Sequence, residues 1–394
     1  MMHSVLLRAA LVLLLALAGL PSSEAQRGMI PAPPQLQATG WILMDAVTGT
    51  VLAEHNADEP LPPASLVKIM TDFILAEELA AGRISLDDEV PISEKAWRTG
   101  GSKMFVHVGD RVRVEDLARG IIIQSGNDAS VAVAEYLAGS EDAFAQMMNS
   151  QAAILGMTNT HYTNATGWPD PDMYTSARDQ ALLTQRLIRD HPEHYAIYAE
   201  REFTYGRDFQ TGQPITQRNR NSLLWMDQTV DGVKTGHTEA AGYCLVASAQ
   251  RDGMRLISVI MGAESTRARA RESQALLRYG FRFFETRNLY AGGQQLERSP
   301  VWKGRDDEVV VGLADDVALT LPRGRYDDLR ATITLDPWLT APIEAGARLG
   351  TLSVVLDDEE VYSGAIIALT AVEAAGIFKR MWHSLQMFFT RLFS

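Results

Sequence analysis

Apolar runs of strand length lie near both ends of residues 26–287 and enclose a stretch with a different periodicity. The early runs, 40–45 and 50–53, flank a turn and predict a β-hairpin. The late runs, 242–249 and 254–261, flank an Arg-Asp-Gly turn and predict a second hairpin. Between the hairpins, apolar residues recur mostly with helical spacing. Strands at both ends with helices between them predict an α+β domain.

The amino terminus has the pattern of an export signal. Arg8 precedes an apolar stretch that ends in small residues near Ala25. This arrangement is typical of a secretory signal peptide, because the apolar stretch is too short for a membrane-spanning helix. We therefore expect residues 1–25 to be removed and the mature chain to work outside the cytoplasm.

The chain after residue 287 contains two further segments, each with its own pattern of apolar and polar residues. Over 288–375, short apolar runs alternate with glycine, proline and aspartate, which predicts a small all-β domain. Over 376–394, apolar residues recur at helical spacing among basic residues and without an acid. A helix from Phe378 to the end would reach about 25 Å, short of a hydrocarbon core of about 30 Å. We expect an amphipathic helix that lies in the membrane interface; a helix docked on the protein's own core is the alternative.

Charge and cysteine usage narrow the possible partners. The formal net charge of −13 argues against nucleic-acid binding, because such proteins concentrate basic residues on one surface. Small ligands or peptides are the expected partners. The single cysteine, Cys244, cannot form an internal disulfide and lies in an apolar run, which predicts a buried residue.

Three short motifs follow one another in the chain: Ser65-Leu66-Val67-Lys68, Ser125-Gly126-Asn127 and Lys234-Thr235-Gly236. The first two patterns each occur by chance about once in a chain of this length. The third is rarer, and an apolar strand candidate follows it. The information therefore lies in their order and joint occurrence after an export signal, which is typical of penicillin-binding proteins and class A β-lactamases.

Ser65 and Lys68 can meet, because residues three apart on a helix share a face. A serine hydroxyl needs an adjacent base, and a lysine becomes one only when burial or a neighbouring cation lowers its pKa. Lys68 sits among apolar residues, and Lys234 is the candidate cation. A helix start at Ser65 also places developing negative charge near the positive end of the helix dipole. The alternative for Lys68 is a surface lysine.

The other two motifs predict substrate contacts. Ser125 and Asn127 supply a hydroxyl and an amide that could relay a proton and hold substrate. Lys234 and Thr235 could bind a carboxylate, and Gly236 leaves room for a peptide to lie against the strand edge as an added strand. Taken singly, each of these motifs is also typical of an ordinary turn.

The sequence around the motifs resembles the low-molecular-mass penicillin-binding proteins that are D-alanyl-D-alanine carboxypeptidases. The resemblance spans nearly all of the mature chain. The stretches that carry it are Pro63-Ala64-Ser65-Leu66-Val67-Lys68-Ile69-Met70-Thr71, Gln124-Ser125-Gly126-Asn127-Asp128-Ala129, Asn219-Arg220-Asn221 with Leu223-Leu224-Trp225, and Asp231-Gly232-Val233-Lys234-Thr235-Gly236-His237-Thr238. It implies a penicillin-binding/β-lactamase-like α+β domain over 26–287, with an antiparallel sheet and a helical cluster, before the all-β domain at 288–375 and the helix at 376–394.

The resemblance also implies a role for each matching position. These roles are Ser65 as acylated nucleophile, Lys68 as general base, Ser125 and Asn127 as the rest of the proton network, Lys234 and Thr235 as contacts for the substrate carboxylate, Gly236 and His237 as the strand beside the substrate, and Arg220 and Arg269 as further carboxylate contacts. The backbone amides of Ser65 and His237 are implied as the oxyanion hole. For Arg269, a solvated helix face is the alternative.

The implied reaction is hydrolysis of the terminal D-Ala-D-Ala bond of peptidoglycan stem peptides, with β-lactams as inhibitors that acylate the same serine. The resemblance implies no cofactor and no metal. Residues 376–394 would hold the enzyme on the periplasmic side of the bacterial inner membrane. The sequence leaves open how the acyl-enzyme divides between water and an amine acceptor.

Two other functions compete with this interpretation. A β-lactamase shares the motifs but must hydrolyse its acyl-enzyme quickly; Gly126 stands where class A enzymes carry an aspartate, and residues 158–179 contain no glutamate. A non-catalytic wall-binding scaffold would keep the fold without the chemistry, which the intact motifs argue against.

One further segment resembles a metal site. The segment His191-Pro192-Glu193-His194 predicts a surface turn rather than a zinc site, because it departs from H-E-x-x-H.

Overall fold

The computed structural model describes residues 30–207 and 211–393, so the predicted signal peptide lies outside the described residues. The described chain forms two compact units. The first contains Pro33–Leu289 with Val317–Thr320, and the second contains Tyr290–Asp316 and the chain from Leu321 onward. The division after Leu289 falls two residues beyond the domain boundary that the sequence predicts.

Sixteen strands and ten α-helices follow one another within the described residues. The helices are α1 (Val67–Ala80), α2 (Glu94–Arg98), α3 (Val114–Ile122), α4 (Asn127–Ala138), α5 (Glu141–Leu155), α6 (Ala177–Asp190), α7 (Pro192–Tyr195), α8 (Leu223–Met226), α9 (Thr266–Phe283) and α10 (Ile377–Phe393). The strands are β1 (Gly40–Asp45), β2 (Val51–His55), β3 (Glu89–Pro91), β4 (Arg111–Arg113), β5 (Glu202–Arg207), β6 (Pro214–Arg218), β7 (Val230–Thr238), β8 (Gly242–Arg251), β9 (Met254–Ala263), β10 (Phe284–Tyr290), β11 (Gln295–Pro300), β12 (Glu308–Gly312), β13 (Val317–Pro322), β14 (Arg330–Leu335), β15 (Arg348–Leu356) and β16 (Glu359–Ala368).

A five-stranded antiparallel sheet with the order β2-β1-β9-β8-β7 forms the centre of the first unit. Both predicted hairpins are confirmed, since β1 pairs with β2 and β8 with β9. Side chains alternate between the faces, so Ile42 and Met44 join one apolar cluster while Leu43 joins the other. Because both faces are buried, the central strands are nearly continuous apolar runs.

Helices cover both faces of this sheet. α9 packs against β8 and β9 on one face, and α6 packs against β9 and β1 on the other, together with the cluster of α1, α3, α4 and α5. The predicted α+β architecture is confirmed. The strand β7 ends the sheet, and it packs against the 3-10 turn Ala64–Leu66 that precedes α1. This contact brings the last of the three motifs to the first.

The prediction of a surface turn at the two histidines is wrong. Pro192 begins the short helix α7, a position that proline favours, and the histidines on either side turn inward. His191 Nε2 lies 2.8 Å from a carboxylate oxygen of Glu77, and His194 Nε2 lies 2.9 Å from one of Asp72. Within residues 30–207 and 211–393, no three His, Cys, Asp or Glu side chains cluster as metal ligands.

The second unit confirms the predicted all-β domain, with an antiparallel sheet in the order β11-β12-β16-β15-β14. The helix α10 follows this sheet in the chain. One side of α10 contacts the unit: His383 Nδ1 accepts from the Lys303 amide at 2.8 Å, and Lys379 Nζ lies 2.7 Å from a carboxylate oxygen of Asp307. In the part of the chain that the structure covers, no helix is both long and apolar enough to cross a bilayer.

Candidate active site

Ser65 lies in the turn Ala64–Leu66, which leads directly into α1. Lys68 is in the first turn of α1, and its Nζ donates to Ser65 Oγ at 3.2 Å. This is the contact that a three-residue spacing predicts. Ala64 has a φ of 48°, which is unfavourable for a residue with a side chain, so the backbone is strained directly beside the serine.

Lys68 is completely buried, which excludes the alternative of a surface lysine. Its Nζ also donates to the carbonyl oxygen of Thr166. Burial lowers the pKa of Lys68 to about 7, while the negative charge of Asp128 opposes this shift and the positive charge of Arg220 adds to it. Arg220 is therefore one assisting cation, and Lys234, the cation that the sequence suggested, also repels the charge of Lys68. Near neutral pH a substantial fraction of Lys68 is neutral and able to accept a proton.

Ser125 and Lys234 form a second buried pair, in which Lys234 Nζ donates to Ser125 Oγ at 2.9 Å. Ser125 has a φ of 63°, in the left-handed region, two residues before α4 begins. Burial and the positive charge of Lys68 lower the pKa of Lys234 well below its usual value. Because each lysine disfavours the charge of the other, the site favours states in which fewer than two of them are protonated.

Asn127 begins α4 and bridges two parts of the site. Its Oδ1 accepts from Lys68 Nζ at 2.7 Å, and its Nδ2 donates to the carbonyl oxygen of Gly100 at 2.7 Å. The next residue, Asp128, is fully buried and accepts hydrogen bonds at 3.0 Å from the backbone amides of Met104 and Phe105. These bonds compensate the cost of burying the carboxylate, and they hold the loop that contains Met104 and Phe105 against the start of α4.

The outer edge of β7 lies beside the nucleophile. A side-chain carbon at Gly236 would fall 3.3 Å from the backbone nitrogen of Ser65, so glycine allows the strand to come this close. Thr235 is buried, whereas His237 is exposed. The sheet continues on the other side of β7 only, so this edge can receive an extended peptide.

The two arginines lie at different places around this strand. Arg220 Nε donates to the carbonyl oxygen of Gln124 at 3.1 Å, just before Ser125. Arg269, in the first turn of α9, is buried and donates to the carbonyl oxygen of Gly236 at 2.9 Å, so the solvated-face alternative is wrong. Burial lowers the pKa of both guanidinium groups. Both arginines nevertheless add positive charge near Lys234.

The loop 164–171 contacts the reactive residues, although no motif in the sequence marks it. Gly167 has a φ of 80°, and a side-chain carbon there would fall 1.9 Å from the carbonyl oxygen of Ala64. Asn164 Oδ1 accepts from the amides of Thr166 and Gly167 at 3.1 and 2.9 Å. Sequence motifs miss this loop because its contacts to Ser65 and Lys68 use backbone atoms. Its one signal is the density of glycine and proline.

Comparison with known proteins decides between the chemistries that such a site allows. Residues 27–265 match the family model of the D-alanyl-D-alanine carboxypeptidases. The chain belongs to this family. Residues 284–374 match the C-terminal domain of penicillin-binding protein 5. Among its relatives, the D-alanyl-D-alanine carboxypeptidase DacC of Escherichia coli (strain K12) is 44% identical over 381 residues, which cover 95% of this chain and 93% of that protein.

Solved structures of penicillin-binding proteins have the same fold. Penicillin-binding protein 5 from Haemophilus influenzae superposes with a TM-score of 0.81 at 40% identity, covering 87% of this chain and 99% of that one. Penicillin-binding protein D2 from Listeria monocytogenes, in an ampicillin-bound form, gives 0.57 at 29% identity, covering 64% and 100%. The predicted family and fold are confirmed, and the protein is a serine-type D-alanyl-D-alanine carboxypeptidase that works through an acyl-enzyme.

Proposed function

We propose that Ser65 is the residue acylated in this carboxypeptidase reaction and that Lys68 is its general base. The observation that carries the proposal is the 3.2 Å contact between Lys68 Nζ and Ser65 Oγ, in surroundings that lower the lysine pKa to about 7. A group with a pKa near the working pH is suited both to accept and to return a proton. Asn127 holds this lysine in place through its 2.7 Å hydrogen bond.

In the proposed acylation step, Ser65 Oγ attacks the carbonyl carbon of the penultimate D-alanine and its proton passes to Lys68. The bond to the terminal D-alanine then breaks, and the departing amine takes the proton of the Ser125 hydroxyl, which is replaced by the proton held on Lys68. Water then attacks the resulting ester and gives a proton to Lys68, which returns it to Ser65 Oγ as the ester bond breaks. The backbone amides of Ser65 and His237 are the proposed oxyanion hole, which the closeness of Gly236 to the Ser65 nitrogen supports.

The substrate carboxylate is proposed to bind at the Lys234 and Thr235 end of β7. Lys234 and Arg220 contribute positive charge there, and the Thr235 hydroxyl is a suitable donor. Arg269 adds charge from behind the strand and positions it through the Gly236 carbonyl. A peptide ending in D-Ala-D-Ala would lie along the outer edge of β7 as an added strand.

The same serine is the proposed target of β-lactam antibiotics. The structures of penicillin-binding protein D2 from Listeria monocytogenes in ampicillin-bound and cefotaxime-bound forms support this proposal. Rapid turnover of the β-lactam ester would need a base that activates water, as the glutamate of class A β-lactamases does. Residues 158–179 contain no glutamate, so the ester is expected to persist.

We propose further that residues 1–25 direct export, that 26–287 and 288–375 are the catalytic and β-rich domains, and that 376–394 attach the enzyme to the periplasmic side of the inner membrane. The attachment rests on the exposed side of α10, opposite its contacts with the second unit. The exposed apolar residues there are Ile377, Phe378, Met381, Trp382, Leu385, Phe388, Phe389 and Leu392. Such a face is suited to insertion at a membrane interface.

The catalytic proposal is tested with a peptide ending in D-Ala-D-Ala and with a labelled penicillin. Ser65→Ala should abolish both D-alanine release and labelling, with a loss of several orders of magnitude in rate. Ser150→Ala, at an exposed helix position, should keep both activities. Mass spectrometry should find the penicillin adduct on Ser65. An adduct on Ser125, or D-alanine release by Ser65→Ala near the wild-type rate, would remove Ser65 from this role.

A further inference from the structure

The helix α9 carries a row of four arginines on its solvent side. Arg267, Arg271, Arg278 and Arg282 are all exposed. At 3.6 residues per turn, their positions fall within about 60° of the helix circumference and extend over about 22 Å along its axis. The opposite side of α9 packs against β8 and β9. In a chain with a formal net charge of −13, this arginine row forms a local basic surface.

The arginine row has no anionic partner in the described chain. Within residues 30–207 and 211–393, no carboxylate forms an ion pair with any of its four guanidinium groups. By contrast, Arg119, Arg178 and Arg255 of the same unit each lie within 2.9 Å of a carboxylate oxygen. The one acid of α9, Glu272, is buried and accepts from the Ala38 amide at 3.2 Å. The four positive charges are therefore available to a ligand.

The stability of the helix does not explain the arginine row. Arg267 and Arg271 are four residues apart, as are Arg278 and Arg282, and like charges at this spacing repel each other. Arg267 also lies in the first turn, where a cation opposes the helix dipole. Exposed guanidinium groups are suited to bind carboxylates and phosphates. Four of them in a line match an extended anion rather than a single small one.

The arginine row begins beside the active site. Arg269, two residues after Arg267, donates to the carbonyl oxygen of Gly236 on β7 at 2.9 Å. The strand β9, which leads into α9, ends with Ala263 paired to Tyr243, next to the residue of β8 that pairs with the end of β7. A polymer with one branch in the cleft can therefore extend along α9.

The implied substrate, peptidoglycan, is such a polymer. Each stem that ends in D-Ala-D-Ala ends in a carboxylate, so a strand with many stems presents many anions. A surface of anionic lipids is the competing ligand, but helices that bind such a surface insert apolar side chains. Residues 264–289, all of which the structure describes, expose no large apolar side chain. These observations favour the polymer.

We propose that the arginine row of α9 is a binding surface for the anionic peptidoglycan strand. It holds the polymer beside the cleft while one stem occupies the active site, and so raises the local concentration of the neighbouring stems. A short peptide that ends in D-Ala-D-Ala gains nothing from it. This inference rests on peptidoglycan as the substrate but not on the roles proposed for Ser65 and Lys68.

The test compares a polymeric with a short substrate. The polymer is soluble, uncross-linked peptidoglycan whose stems end in D-Ala-D-Ala, and the short substrate is Nα,Nε-diacetyl-L-lysyl-D-alanyl-D-alanine. Arg271→Gln with Arg278→Gln should lower kcat/KM about 5-fold on the polymer, since each exposed ion pair contributes modestly, and should leave the short peptide unaffected. Because salt screens exposed charges, kcat/KM on the polymer should also fall more steeply with salt for the wild type than for this double variant.

Arg83→Gln with Arg189→Gln is the matched control, because it removes the same charge from exposed positions outside the arginine row. It should keep wild-type activity on both substrates. The binding surface is overturned if the α9 double variant hydrolyses the polymer at the wild-type rate, if the control loses as much, or if the short peptide is slowed equally. Failure of the catalytic proposal is distinct, since it appears as D-alanine release by Ser65→Ala.

Phosphatidylglycerol vesicles test the competing ligand with the same full-length proteins. The α9 double variant should bind these vesicles as the wild type does. Weaker vesicle binding together with unchanged polymer hydrolysis would assign the arginine row to lipid and overturn the proposal.

Discussion

At the scale of single residues, the chemistry depends on the protonation of Lys68. The residue is a base only when neutral, and burial lowers its pKa to about 7. The rate constant for acylation by penicillin should therefore rise with pH through about 7 and level off above it. Lys68→Arg should be nearly inactive and show no such rise, because a guanidinium stays protonated. A wild-type profile that is flat around neutral pH would contradict the role of Lys68.

Alanine substitutions at Gly167 and Gly139 distinguish the effect of backbone strain on activity from the effect of a steric clash. Their φ values are 80° and 78°, so an alanine at either position costs about 1 kcal/mol in backbone strain. Only at Gly167 would the added carbon meet a neighbour, 1.9 Å from the carbonyl oxygen of Ala64, since nothing lies within 4 Å at Gly139. Gly167→Ala should push the loop away from Ser65 and lower kcat/KM at least about tenfold, whereas Gly139→Ala should remain near wild type. Equal activity of the two folded variants would contradict this argument.

Some contacts of the active site could be predicted from the sequence, and others could not. The contact of Ser65 with Lys68 follows from helical spacing, because both side chains lie on one face. The carbonyl oxygen of Thr166 and the left-handed backbone of Ser125 could not be predicted in this way. Both depend on how distant segments pack, and neither involves a side-chain type that a motif records.

At the scale of elements, the segment 191–199 ties the helix of Lys68 to the strand of Lys234. On the α1 side, Asp72 accepts from Tyr198 at 2.7 Å and lies 2.9 Å from His194. On the β7 side, the Tyr195 hydroxyl donates to Asp231 at 3.0 Å. Since Asp72 is fully buried, its partners compensate a charge that would otherwise be costly.

The pairing of His194 with Asp72 predicts a pH-dependent contribution to the free energy of unfolding. Burial opposes the charged form of His194, but the charge and hydrogen bond of Asp72 outweigh it and raise the His194 pKa above its usual value; nearby Arg119 has the opposite, smaller effect. A raised pKa means that the contribution is fully present below the unfolded-state value of about 6.5 and is lost as pH rises through the folded-state value. The Tm difference between wild type and His194→Gln should therefore shrink with rising pH. A difference that grows with pH would contradict the pairing.

The elements were predictable where apolar runs flank a turn. The hairpins β1–β2 and β8–β9 have this pattern, and each lies where the sequence places it. The strand pairs β3–β4 and β5–β6 were not predicted, because alternating exposure leaves them few apolar residues. The inward-facing histidines around Pro192 were missed because their partners on α1 are more than 110 residues away.

At the scale of the whole molecule, the change in the pattern of apolar residues near residue 288 predicted two domains, and the described chain forms two compact units. The tail shows where composition was insufficient. The sequence predicts an amphipathic helix at the membrane interface, with docking on the protein's own core as the alternative, and in the structure Lys379 and His383 contact the second unit. With Met387, which is buried, they form a stripe with a spacing of four residues on one side of α10. The apolar face lies on the opposite side.

This geometry sharpens the expected behaviour of the tail at a membrane. Its 17 residues span only about 25 Å, so α10 should lie along the interface, held mainly by apolar insertion and only weakly dependent on salt. A chain that ends at Ala375 should leave the membrane fraction of lysed cells. Trp382→Glu with Leu385→Glu, at positions 60% and 49% exposed, should do the same. Ser384→Glu with Thr390→Glu adds equal charge at exposed polar positions and should stay bound. Sedimentation of the truncated chain with membranes, or equal release of both double variants, would contradict attachment through this apolar face.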